Sequence, residues 1–544
     1  MTRLRQLWWL VRTLVRSGML APLRPDKYLR MGLVVRRYGV IPTLGLSLAA
    51  VRRPAGIGLI DERGSLTWGE LEVRTSALAA ALAALPGGRP TTVAILCRNH
   101  RGFVEALAAT AKLGADSLLL NTGFSAPQLA DVLVAENADL LIYDAEFAEI
   151  VRSAKERRPD LRELLAWTDS AAATGTLDAL ISWPRSGDSH GVSRRSGATK
   201  RRGRVVLLTS GTTGAPKGAG RSGGGVGTLA AVLDRIPWHA EEKTVIAAPM
   251  FHAWGFGQLV IAATMTCTIV TRRRFDPEAT LQLVQDNNAT GLSVVPVMLE
   301  RIVDLPASVL AQYRLPALRF ASASGSRMRP DAVLRFMDRF GDVVYNSYNA
   351  TEAGMITIAT PADLRAAPDT AGQPAPGVDL RVVDDAWREL PPCEVGRIIV
   401  RSDSQFDGYT SGDTKCFHEG YMVTGDVGRR DAAGRLYVVG RDDEMIVSGG
   451  ENVYPLEVEQ ALGTHSAVRD VAVIGVDDAD FGQRLAAFVV AEPFAHISAD
   501  DLKRYVKERL AGYKVPRDVT LLDELPRNAS GKVVKRELAV LRDG

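Results

Sequence analysis

Short apolar runs and longer amphipathic ones take turns between Gly56 and Asp144. TTVAILC, DSLLLN and DLLIYD are brief, with continuous apolar centres, which predicts strands buried on both faces. GFVEALAATAKLG and SAPQLADVLVAENA, the second opened by Ser125, carry helical spacing. Alternation of this kind predicts a parallel sheet with helices on its faces. The pattern resumes with VVLLT, ending at Thr209, and continues through GLSVVPV, LRFASAS and DVVYNSY. From Val378 to Gly440 it changes to hairpins: VDLRVVDD and VGRIIVRS, then YMVTGDVGRRD and GRLYVVG joined by an Ala-Ala-Gly turn. A compact α+β unit closes the chain, with LEVEQAL and ADDLKRYVKERL as helices and AVRDVAVIGV, LAAFVVA and DVTLLDEL as strands. The polar run RDDE, Arg441–Glu444, marks the boundary. The expected fold is therefore α/β. A segment 1–55 precedes a large domain 56–440, built of parallel α/β sheets plus a small antiparallel β subdomain at about 378–440, and a smaller α+β C-terminal domain spans 441–544.

Two windows need separate treatment. Thr244 to Thr271 has no charged residue, yet Pro249, His252, Trp254, Gly255 and Gly257 interrupt it, so a buried strand, a loop and a buried helix are expected rather than a membrane span. At the N-terminus, LRQLWWLVRTLVR places Leu4, Leu7, Trp8, Leu10, Val11, Leu14 and Val15 on one side at helical spacing, with Arg5, Arg12 and Arg16 opposite. Amphipathicity alone does not choose between a lipid surface and a protein core. A secretory signal is not expected, because Arg12 and Arg16 interrupt the apolar stretch and no small-residue cleavage site follows.

Charge sharpens that picture. The formal net charge is only +3, but residues 1–60 hold eleven Lys/Arg against one acid, and the run Arg185–Arg204 holds seven against one. The rest of the chain is acidic. The 185–204 run has no aromatic residue to stack a base, which argues against nucleic acid and for a solvated surface loop. Four cysteines, 97, 267, 393 and 416, form no CxxC pair, so neither a disulfide framework nor a zinc-ligand spacing is present, and a reducing, cytosolic setting is expected.

The strongest chemical signal is Thr209–Gly218, TSGTTGAPKG, directly after VVLLT. Gly211 and Gly214 let backbone amides converge on an anion, the hydroxyls of Thr209, Ser210, Thr212 and Thr213 add donors, and Lys217 adds charge. Polyphosphate suits that set. Lys217 is followed by Gly218, so this is not a Walker A loop. The embedded Gly218, Gly220 and Gly223 mimic a dinucleotide fingerprint, but no strand ends beside them and GGG opens no helix.

This loop resembles the phosphate-binding motif of the adenylate-forming superfamily, which includes acyl- and aryl-CoA synthetases, peptide-synthetase adenylation domains and beetle luciferases. Further motifs follow in the family's order: YNATEAG from Tyr348, YMVTGD ending at Asp426, GRDDEMI from Gly440, SGGENVYP from Ser448 and PRNASGK ending at Lys532. The resemblance runs from about Gly56 to the C-terminus and implies ATP, Mg²⁺ and coenzyme A as cosubstrates. It implies that Lys532, Thr351 and Glu352 are catalytic, with Glu352 the Mg²⁺ ligand. Gly325, Ser326, Tyr348, Asn349, Asp426 and Arg441 would join the loop in holding the nucleotide. Asp443 would be the hinge of a mobile C-terminal domain, and Gly449, Gly450 and Glu451 would line the coenzyme A channel. Because the acidic body does not attract ATP, Lys217, Arg441 and Lys532 must do so locally.

His252, Trp254 and Gly255 stand where the family places its acyl pocket. No aspartate for an amino group occurs there, which favours a simple carboxylic acid. Twelve residues follow Lys532 and no carrier domain is attached, so coenzyme A is the expected acceptor. No extra segment separates Gly440 from Ser448, unlike in fatty acyl-AMP ligases. With the basic N-terminus, the expectation is a medium- or long-chain fatty-acid–CoA ligase, cytoplasmic and peripheral on the inner membrane face. An aryl- or short-chain-acid ligase and a fatty acyl-AMP ligase are the alternatives. A non-enzymatic basic protein binding membrane or nucleic acid is the distant one.

Overall fold

The computed structural model describes residues 3–39, 41–170, 173–182, 202–209, 217–221, 226–402, 405–406, 408–410, 412, 414–448, 451–478 and 482–543. Two sheets of the large domain meet the α/β expectation. The first has six strands in the order Arg162–Trp167, Leu140–Asp144, Thr92–Leu96, Asp116–Leu119, Val205–Thr209 and Lys217–Arg221. It is parallel except for the last pair. The second has nine strands, parallel from Ile57–Asp61 through Val344–Ala350 and flanked by antiparallel edges. Leu140–Asp144 is buried at every position, as a strand covered on both faces must be. The predicted helix after Ser125 is Ala126–Ala135, and Ser125 with Gln128 forms its capping box.

The charge-free window resolves as strand Lys243–Ile246, helix Ala253–Thr264 and strand Thr268–Val270. No described helix is long and apolar enough to cross a membrane. The hairpins form a five-stranded antiparallel sheet, Asp379–Val383 to Leu436–Arg441. In the C-terminal unit the long hairpin Val468–Asp478 and Gly482–Ala491 packs against helices Pro455–Gly463 and Ala499–Lys507.

Three helices precede the first strand: α1 (Arg3–Arg16), α2 (Pro25–Tyr38) and α3 (Leu44–Arg52). The stripe predicted along α1 divides. Leu14 is buried and Leu10 packs on the core, whereas Leu7, Trp8, Val11 and Val15 point outward. Arg16 donates to the carbonyls of Leu233 and Asp234 at the end of helix Val226–Arg235. Of the basic 185–204 run only the last three residues lie within the described residues.

Candidate active site

One cavity of about 1490 Å³ runs between the large domain and the C-terminal unit, lined by residues of both. Strand Val344–Ala350 delivers Tyr348 and Asn349 to its wall, and the turn that follows delivers Thr351 and Glu352. Asn349 Nδ2 donates to Ser324 Oγ at 3.0 Å, beside Gly325 and Ser326. Its Oδ1 is buried with no partner, an acceptor awaiting a donor. Gly325 has φ +109°, a conformation only glycine adopts without strain.

Asp426 and Arg441 face each other across the antiparallel pair Tyr421–Arg430 and Leu436–Arg441. Arg441 Nη1 lies 3.3 Å from Asp426 Oδ1, and the Tyr348 hydroxyl donates to Oδ2. Burial pushes the Asp426 carboxyl above its ordinary range, and these contacts only partly oppose the rise. Arg441 also reaches Asp443 at 2.8 Å, so this arginine is tied to the predicted hinge residue.

Lys532 sits on a loop that Asn528 organises. Asn528 Oδ1 accepts from the amides of Ser530 and Lys532 and from the Ser530 hydroxyl, at 3.0, 3.0 and 2.7 Å. Arg527 donates to the Gly531 carbonyl at 2.6 Å and pairs with Asp470 at 2.7 Å. Gly531 has φ +82°, and an added Cβ would stand 2.6 Å from Val297 Cγ1, so the loop lies flush on the large domain. Loss of solvent lowers the Lys532 pKa below the lysine value, partly offset by Asp426 and, more weakly, Glu352. A cation thus stands where two carboxylates share a cavity.

Glu352 is buried and takes the Tyr409 hydroxyl on Oε1 at 2.5 Å. A desolvated carboxylate on the cavity wall is a hard oxygen ligand, so the residues present fit Mg²⁺. His252 lines the same cavity with Nδ1 buried and unpartnered. Burial, and then the nearby Lys532 charge, drive its pKa down to about 3, so the ring is neutral. Trp254 lines the wall with its Nε1 fixed on the Val294 carbonyl at 2.9 Å.

Gly255 does not belong with them. A Cβ there would lie 2.2 Å from the Pro249 carbonyl, so this glycine serves close packing. Gly257, two residues on, lines the cavity, and an added Cβ would meet nothing within 4 Å. Along the face of helix Ala253–Thr264 the cavity continues past Val260, Ile261 and Thr264 to Met19, Ile41, Leu44, Gly45 and Leu48.

Several expected residues are only partly visible. Thr209 ends its strand and Lys217 opens the next, paired in register, while Ser210, Gly211, Thr212, Thr213 and Gly214 lie outside the described residues. Gly449 and Gly450 also lie outside them, and Glu451 begins strand Glu451–Val453. Sequence reasoning missed Tyr409, Asn528 and the N-terminal wall. It also missed the desolvated charges at the domain junction, Glu300, Arg327 and Glu459. Among the described residues one cluster has metal-ligand proximity, Cys97, His100 and Asp144, and it is wholly buried. Both His100 nitrogens are engaged, by Asp144 at 2.8 Å and the Gly102 amide at 3.0 Å, which gives it a structural role.

The chain is thus a large α/β unit and a smaller α+β unit with one cavity between them, lined by Lys532, Asp426, Arg441 and Glu352. Residues 47–410 match the AMP-binding enzyme family and residues 457–532 the AMP-binding enzyme C-terminal domain, and the chain belongs to that family. It is 31% identical over 482 residues to an indoleacetate–CoA ligase of Aromatoleum aromaticum, covering 88% of this chain and 93% of the relative. It is 33% identical over 485 residues to a feruloyl-CoA synthase of Amycolatopsis, covering 87% and 93%. Among solved structures, o-succinylbenzoate CoA synthetase from Bacillus subtilis, in complex with its acyl-adenylate intermediate, superposes with a TM-score of 0.76 at 29% identity, covering 91% of this chain and 97% of that one. Adenylate-forming CoA ligases of this family use ATP, Mg²⁺ and coenzyme A.

Proposed function

We propose that the chain is an ATP-dependent acid–CoA ligase whose acid is a medium- or long-chain fatty acid. The observation that carries this reading is the continuity of one cavity. It holds Lys532, Asp426, Arg441 and Glu352 at one end and, at the other, a wall of Met19, Ile41, Leu48, Leu229 and Ile261 with no charged side chain among its described residues. An acid bound with its carboxylate at Lys532 and His252 extends its tail along helix Ala253–Thr264, where each buried methylene contributes about 0.8 kcal/mol.

In the first half-reaction a carboxylate oxygen attacks the α-phosphorus of ATP, forming the acyl-AMP and expelling pyrophosphate. Lys532 offers its charge to both approaching anions, which repel each other until a cation stands between them. Neutral His252 orients the carboxylate without adding charge. Asp426 and Arg441 hold the ribose, the Asn349 Oδ1 takes an adenine N–H, and Thr351 addresses the α-phosphate. The loop of Thr209, Ser210, Gly211, Thr212, Thr213, Gly214 and Lys217 cradles the departing pyrophosphate. Glu352 would hold Mg²⁺, and the ion would supply positive charge against the phosphates. In the second half-reaction the coenzyme A thiolate attacks the acyl carbon and AMP leaves. For that step the C-terminal unit turns about Asp443 and presents Gly449, Gly450 and Glu451 to the pantetheine, since a short polar connection absorbs a large backbone change.

The aromatic acids named for the indoleacetate and feruloyl relatives favour a second reading, an aryl acid in the same chamber. Pyrophosphate release and thioester formation measured with hexanoate, palmitate, oleate, ferulate and indoleacetate separate the two. Preference for palmitate or oleate supports the fatty-acid reading, preference for ferulate or indoleacetate selects the aryl one, and release with no acid at all overturns both.

A further inference from the structure

The helices α1 and α2 each leave an apolar face that no other described residue covers. Leu7, Trp8, Val11 and Val15 point outward from α1 at 58, 64, 45 and 58% exposure. On α2, which buries no residue, Tyr28, Leu29 and Leu33 stand at 53, 69 and 56%. Monomeric proteins rarely leave such residues together. Nine Lys/Arg and one acid, Asp26, lie between residues 3 and 38. Arg16 and Lys27 are spent on the protein, Arg16 on helix Val226–Arg235 and Lys27 on the Arg52 carbonyl at 2.5 Å. The exposed Arg5, Arg12, Arg30, Arg36 and Arg37 rim the apolar residues, with Arg12 stacked 5.3 Å above Trp8.

The surface is fixed, not loosely tethered. Arg52 is 6% exposed, donates to the carbonyls of Gly18 and Met19 at 2.9 and 2.8 Å and pairs with Glu241 at 2.8 Å. That clamp holds the turn after α1 against the body. Met19, in that turn, and Ile41, Pro42, Leu44, Gly45 and Leu48, on the approach to α3 and along it, line the apolar end of the cavity. The uncovered helices and the apolar end of the chamber therefore belong to one corner of the molecule.

We propose that α1 and α2 dock on an anionic lipid bilayer, which brings the apolar end of the acid chamber to the membrane surface. Apolar residues ringed by arginines are what an interfacial helix requires: the side chains enter the acyl boundary and the cations meet the headgroups. A second copy would set two strongly basic faces against each other, and nucleic acid would leave the apolar stripe in water. The entry of a membrane-borne acid rests on the fatty-acid reading, while the docking itself does not.

The test uses the full chain and vesicles of phosphatidylcholine with and without phosphatidylglycerol. Co-sedimentation is expected only with the anionic vesicles and falls as salt rises. Each arginine near the surface is worth about a five-fold change in affinity, so Arg30→Glu/Arg36→Glu/Arg37→Glu loses at least about 100-fold. Leu29→Glu/Leu33→Glu, confined to exposed positions, abolishes sedimentation while leaving turnover of hexanoate unchanged. Equal binding to neutral vesicles, variants that sediment like the parent, or a dimer in solution that Leu29→Glu/Leu33→Glu dissociates would each overturn the proposal. Turnover of vesicle-borne palmitate reads the second half: docking without palmitate turnover leaves the membrane face standing and removes only the fatty-acid reading.

Discussion

Replacing Gly257 with leucine tests the chamber directly. The position lies midway along the cavity-lining face of helix Ala253–Thr264, between His252 near the lysine and Thr264 near α3. An added Cβ meets nothing within 4 Å, and the position lines the cavity, so the new side chain is directed into it. Leucine also favours a helix over glycine by roughly 0.8 kcal/mol, and the variant folds at least as well as the parent. The new side chain takes the room of about three methylenes, each worth about 0.8 kcal/mol, so acids long enough to pass it lose about 2.4 kcal/mol of binding. That is about 50-fold in kcat/KM. Acids that stop short of it lose nothing. Pyrophosphate release measured from hexanoate to oleate should therefore show a break in chain-length dependence, with the short acids unmoved. A uniform loss across all lengths, or oleate turnover equal to the parent's, would refute the assignment of this wall to the acyl tail.

Lys532→Ala removes the charge between the two anions and should cut adenylation by about 10²–10³-fold, while acyl-AMP supplied ready-made still yields thioester; equal loss of both half-reactions contradicts the role. With its pKa below that of an ordinary lysine, the Lys532 ammonium loses its proton as pH rises. Adenylation accordingly carries a descending alkaline limb that Lys532→Arg displaces upward, read from the pH profile of pyrophosphate release. His252, driven to about 3, stays neutral across the working range; its ring resonances should not titrate between pH 5 and 8, and a midpoint near 6.5 would contradict its burial. Tyr409→Phe takes from the Glu352 carboxylate a hydrogen bond worth about 1.5 kcal/mol or more, so the apparent Mg²⁺ requirement rises by at least about ten-fold at constant kcat, measured by varying Mg²⁺ at saturating ATP. Gly531→Ala forces a Cβ onto Val297 at φ +82° and should slow adenylation while the melting temperature of the large domain holds.

How much of this was legible depended on what each residue is asked to do. Strands such as Leu140–Asp144 could be read because burial on both faces leaves a continuous apolar run, Leu140–Ile142, with no alternating polar position. The hairpin partner Lys217–Arg221, KGAGR, could not. It joins the sheet through its backbone, in register with Val205–Thr209, and carries none of the side chains that mark a strand. The site divides in the same way. Asp426 and Arg441 lie in motifs whose order along the chain is itself a signal, and the antiparallel register sets them side by side. Tyr409 and Asn528 act through one hydrogen-bonding group each, on segments with no periodicity, so only three-dimensional proximity reveals them. Gly255 and Gly257 look alike in sequence, and the difference lies in a neighbouring carbonyl that no spacing rule encodes.

The N-terminal stripe shows what periodicity leaves open. Helical periodicity puts Leu4, Leu7, Trp8, Leu10, Val11, Leu14 and Val15 on one side, but one neighbouring helix covers only a narrow line. The line actually covered is Leu10, Thr13, Leu14 and Ser17. Thr13 and Ser17 are small, and Ser17 satisfies its hydroxyl on the Leu14 carbonyl at 3.0 Å, so a polar residue there costs little. Leu7, Val11 and Val15 are left over. A helix destined only for its own protein gains nothing from apolar residues beyond the covered line, and each such residue in water adds to the risk of aggregation. The width of the stripe, greater than its protein neighbour can bury, is therefore itself the physical argument that a second apolar phase covers the remainder, and the arginines around it specify the sign of that phase's surface charge.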